Sequence, residues 1–70
     1  MGFREDLAWF EEHRRELAQQ YRGQYVAVVD RQVVDAAPDF GTLARRVFAR
    51  YGRRDIVIQR AEPAPPVLRL

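Results

Sequence analysis

Tyr21-Arg22-Gly23-Gln24-Tyr25-Val26-Ala27-Val28-Val29-Asp30-Arg31-Gln32-Val33-Val34 is the stretch on which the fold turns. Residues 25–29 form a continuous, β-branched apolar run with no helical gap, which predicts a strand. Val33-Val34 opens a second run, so Asp30-Arg31-Gln32 must turn the chain in a tight hairpin. The tightest hairpins want Gly or Asn at positive φ, and neither residue is present here. Tyr25, Ala27 and Val29 fall on one face of the strand and Val26 and Val28 on the other. A strand that is apolar on both sides expects cover on both sides.

Upstream, Phe3, Leu7, Phe10, Leu17 and Tyr21 recur at helical spacing, with Arg14 interrupting the stripe. They predict one helix over about Phe3 to Arg22. Glu5 and Asp6 suit its positive N-terminal end, Glu11 and Arg15 form an i,i+4 pair, and Gly23 is placed to stop it. Downstream, Asp39 is a helix cap before Phe40, Leu43, Ala44, Val47, Phe48 and Tyr51 at 3–4 spacing, and Gly52 ends that helix. Ile56-Val57-Ile58 predicts a third strand. Glu62-Pro63-Ala64-Pro65-Pro66 reads as extended and polyproline-like, and Val67-Leu68-Arg69-Leu70 is apolar enough to dock. The fold class is therefore α+β: helix–strand–strand–helix–strand, a small sheet packed on two helices, with a proline-rich extended C-terminal tail. Residues 1–61 form a single domain and 62–70 its tail.

Trp9, the run Tyr21-Arg22-Gly23-Gln24-Tyr25-Val26-Ala27-Val28, the hairpin to Val33-Val34 and the Asp39-led helix ending at Gly52 carry a resemblance. They resemble a family of short prokaryotic proteins known only as a domain of unknown function. Its pattern is a Trp-bearing helix, then Y-x-G-x-W/Y-V-A-V, a hairpin, and a helix after Asp or Ser. The likeness spans about residues 9 to 58. The chain departs at the turn, where the family pattern favours Asp-Gly and this chain has Asp30-Arg31-Gln32, and again in the proline-rich tail. The resemblance implies no activity and assigns no residue a role.

Composition removes several classes of function. The chain has 70 residues, no Cys and a formal charge of only +2, and all twelve basic residues are arginine. Ser, Asn and Lys are also missing, Thr42 is the only aliphatic hydroxyl and His13 the only imidazole. A nucleophilic triad has no Ser or Cys to start from, and a zinc site has no second His. The expectation is a protein without catalysis, cofactor or metal. No run approaches the roughly 18 apolar residues of a membrane span, and Glu5-Asp6 turn the N-terminus acidic at once with no apolar stretch of a signal peptide after it. A cytoplasmic protein is expected.

A domain this small, without disulfide or metal, leans on association for stability. With short connections the two helices are expected to lie together on one side, leaving the other face of the sheet to a second subunit. The expected state is a symmetric homodimer, built through that face or by strand pairing at an edge, acting as a protein-binding or assembly module. Trp9, His13, Tyr25, Leu68 and Leu70 are the nominated contact residues. Trp9 and His13 sit one turn apart, and the pair reads either as a partner anchor or as a lid on the core edge. Arg46, Arg50 and Arg53 share one flank of the second helix and offer the alternative, a weak nucleic-acid ridge. The competing reading of these arginines is a solvated face that suits the helix C-terminus.

Overall fold

A computed structural model describes residues 2–52 and 55–62. Over them the elements are α1 (Phe3–Glu12), α2 (Arg14–Gln20), β1 (Tyr25–Val28), β2 (Val33–Ala37), α3 (Phe40–Tyr51) and β3 (Val57–Arg60). The fold is α+β in the order expected, with the first helix in two pieces. The proline-rich segment, with Leu68 and Leu70, lies outside the described residues.

The break at His13 corrects the single helix over Phe3–Arg22. His13 has φ −107° and ψ 15°, and its N–H is shared between the carbonyls of Trp9 and Phe10. Its ring Nδ1 also lies 2.8 Å from the Trp9 carbonyl, and a carbonyl can only accept, so Nδ1 carries the proton and donates. A side chain that competes for a helix carbonyl loosens the ladder at that turn. Arg14, which interrupts the apolar stripe in sequence, stays with it in space. It is buried, its guanidinium lies 5.0 Å over the Phe10 ring, and Glu11 is its ionic partner. Glu11 thus pairs with Arg14 and not with Arg15 as spacing suggested.

The three strands form an antiparallel sheet in the order β2-β1-β3. To reach the far side of β1 from β2, the chain must cross it, and α3 makes that crossing. The α3 face of the sheet buries Ala27, Val29, Ala37, Leu43, Val47 and Ile56. The opposite face buries Val26, Val28 and Val57 against Phe10, Leu17 and Ala61. One helical layer therefore covers each face, which corrects the expectation that both helices share a side and leave the other open. The short Gly23-Gln24 link, with Gly23 at φ 76°, lets α2 lead directly into β1 from its own face.

The hairpin is the tightest kind despite its residues. Asp30 and Arg31 adopt φ 53° and 58°, and Val29 and Gln32 exchange both backbone hydrogen bonds. These are the angles of a type I′ loop, which matches strand twist but strains residues other than Gly, Asn or Asp. Asp6 holds it there. Its side chain, 2% exposed, accepts the Arg31 N–H at 2.9 Å across 25 residues of sequence. Helix α3 is closed as the sequence implies. Asp39 Oδ2 accepts the Thr42 N–H at 2.7 Å, and Gly52, at φ 67°, donates to the Phe48 carbonyl.

Candidate functional site: two unequal sheet edges

A three-stranded sheet has two outer strands, each with a row of backbone groups free to pair with another chain. Here the two edges differ. On β2, the register shifts between Ala27 and Val28, so Val34 is an extra residue that joins the α3-side core. Such a bulge bends an edge and disrupts its pairing row. The next outward residue is Ala36, and both of its backbone groups are taken by side chains. Its N–H donates to Asp35 Oδ1 at 2.8 Å, and its carbonyl accepts from Arg46 Nη2 at 2.9 Å. Arg46 also grips the Asp35 carboxylate with Nε at 3.0 Å and Nη2 at 2.8 Å. That grip holds the Asp35 carboxyl below the usual carboxylate range, with the Ala36 N–H adding to the effect.

On β3 the outward groups follow from the ladder. Ala61 N–H donates to the Gln24 carbonyl, continuing the register in which Tyr25 faces Arg60 and Ala27 faces Ile58. Hydrogen-bonding direction alternates along an antiparallel strand, so Val57, Gln59 and Ala61 bond to β1 while Ile58 and Arg60 turn their N–H and C=O groups away from it. No strand lies beyond them among the described residues.

The nominated contact residues are scattered. Trp9 is half-buried against the α2-side core, and its indole stacks on the His13 ring with centroids 4.4 Å apart. Tyr25 packs at the rim of the α3-side core, edge-on to Phe40 at 6.0 Å, and Phe40 itself is exposed. Leu68 and Leu70 lie outside the described residues. Of the arginine ridge, Arg46 is committed to Asp35 and Ala36, Arg50 lies 5.5 Å over the Tyr51 ring, and Arg53 is outside the described residues. Sequence reasoning missed Asp6, Asp35 and the bulge at Val34. No spacing rule links Asp6 to Arg31 or Asp35 to Arg46, since both contacts are tertiary.

The segment that carries the hairpin, α3 and β3 also carries the match to a known family model, over residues 16–59. The chain belongs to DUF5678, a family of unknown function. The match begins inside α2 and ends inside β3, so β2 and residues 57–59 of this DUF5678 member fall within it, while Arg60, Trp9 and His13 do not. No curated protein and no solved structure matches the chain. Among the described residues, no helix is long and apolar enough to cross a membrane.

Proposed function

We propose that this DUF5678 member is an assembly module that pairs with a second copy of itself along β3 and performs no covalent chemistry. The observation that carries the reading is the inequality of the edges among the described residues: β2 is bulged and its Ala36 backbone groups are taken by Asp35 and Arg46, whereas β3 has no bulge and no side chain on its outward groups. Protecting one edge and leaving the other is the pattern expected where pairing must stop at two chains. The register supports self-pairing. A two-fold axis at Gln59 sets Ile58 opposite the second copy's Arg60, and both residues carry their backbone groups outward. Two antiparallel copies then exchange hydrogen bonds at both Ile58–Arg60 pairs and make one six-stranded sheet. The residue inventory, with no Ser, Cys or Lys and a single His whose Nδ1 is bonded to Trp9, favours binding over catalysis.

Sedimentation equilibrium tests this on the full chain. The expected mass is twice 8.2 kDa. Arg60→Pro removes an outward N–H without touching the β1 ladder and is expected to yield monomer, while Arg60→Ala keeps the N–H and the dimer. A wild-type monomer at every concentration, or a dimer indifferent to Arg60→Pro, would overturn the proposal.

A further inference from the structure

A cleft of about 430 Å³ opens where the C-terminal end of α2 meets the end of β3. Three arginines, Arg15, Arg22 and Arg60, line it together with the small residues Ala18, Gly23 and Ala61. The arginines arrive from different parts of the chain. Arg15 sits in the first turn of α2, Arg22 follows that helix, and Arg60 ends β3.

Like charges gathered around one concavity repel, and the repulsion is relieved only by an anion or by water. Internal partners are scarce. The acid at i−4 from Arg15 is Glu11, and Arg14 has taken it. Among the described residues, neither Arg15 nor Arg22 forms an ion pair. Arg60 has only Glu62, at 3.4 Å, with both side chains about half exposed. Among the described residues lining the cleft, one acid, Glu62, thus stands with three arginines.

We infer that this cleft is a binding site for the di- or polyphosphate group of a small molecule. The volume lies in the range of small-molecule sites, and guanidinium forks match phosphate oxygens bidentately. Three forks ask for more acceptor oxygens than a single carboxylate has, which selects a ligand with at least two anionic groups. The site is concave, and among the described residues no aromatic lines it for base stacking, so an extended single strand of nucleic acid is a poorer fit. Glu62 is the group the ligand displaces from Arg60.

Inorganic pyrophosphate is the probe, titrated at low salt into the full-length chain and followed by amide NMR shifts, with citrate as a second arm. Saturable shifts are expected at the Ala18, Gln19, Gly23 and Ala61 amides. The Arg15→Gln/Arg22→Gln variant is expected to weaken binding about tenfold or more, the scale of losing one charge-assisted hydrogen bond. Arg45→Gln, which removes a charge from α3, leaves the affinity unchanged. Absence of saturable shifts, shifts scattered over the surface, equal weakening by Arg45→Gln, or preference for citrate would each overturn the inference. Arg60 belongs both to this cleft and to the β3 edge, so the titrated sample's mass is read by sedimentation: binding without dimer, or dimer without binding, tells the two readings apart.

Discussion

Replacing Asp6 with Ala tests whether a buried side chain on α1 holds the β1–β2 turn in its strained form. Asp6 is 2% exposed and its side chain accepts the distant Arg31 N–H at 2.9 Å. A hydrogen bond to a charged group contributes about 1.5–3 kcal/mol. Two features of the site lower that figure. The Arg31 N–H lies in an exposed turn and finds water once released, and removing a buried carboxyl group also removes its desolvation cost. The expected loss is therefore about 1–2 kcal/mol, a fall in Tm of roughly 4–16 °C for a domain of this size. Arg31→Gly is the complementary arm. It keeps the N–H and relieves about 1–2 kcal/mol of left-handed strain, while glycine's extra unfolded-state freedom takes back about 0.4–1. A net gain of about 0–1.6 kcal/mol is expected from that balance. Urea unfolding followed by fluorescence of Trp9, the sole tryptophan, measures both. An Asp6→Ala cost below about 0.3 kcal/mol, or a loss in Arg31→Gly, would refute the reasoning, since both values fall outside the ranges above.

Three further outcomes are expected. Gly52→Ala forces a Cβ into φ 67° and should cost about 1 kcal/mol in urea unfolding, although nothing within 4 Å obstructs it. Asp35 and Asp39 both have carboxyl groups held below the ordinary range, Asp35 by Arg46 and Asp39 by the Thr42 backbone N–H. Their folded values lie below their unfolded ones, so the stability they contribute is present above the ordinary Asp value of about 3.9 and is lost as pH falls below it. Unfolding midpoints measured from pH 7 down to pH 2 should show that acid loss, and Asp35→Asn should flatten part of it. Arg46→Ala should leave the unfolding midpoint nearly unchanged because the pair is exposed. It also frees the Ala36 carbonyl, so light scattering should show species larger than a dimer as both edges become available.

The elements were legible because their signals are local. Tyr25–Val29 is an unbroken β-branched run, and Asp39 and Gly52 bracket a clean 3–4 stripe that becomes α3. Even the face assignment along β1 holds, since side-chain alternation needs only the count of residues. What the sequence hid is tertiary. The hairpin looks poorly suited to its turn because its support, Asp6, lies a helix and a strand away. The break at His13 comes from a ring nitrogen reaching the Trp9 carbonyl, which periodicity does not register. Short connections suggest helices on one side of the sheet, but the crossing from β2 to β3 places α3 over one face by itself. Arg46 illustrates the same limit for the candidate site. On a helical wheel it belongs to a basic flank, and in space it closes the edge of a strand.

The most direct test of β3 as the assembly edge is amide hydrogen exchange at Ile58 and Arg60 over a range of protein concentration. Both N–H groups point away from β1, so nothing within the described residues of one chain protects them. Pairing along β3 predicts protection at these two amides that grows with concentration, while the Val57 and Gln59 amides stay protected throughout. Rapid exchange at Ile58 and Arg60 at every concentration would contradict it.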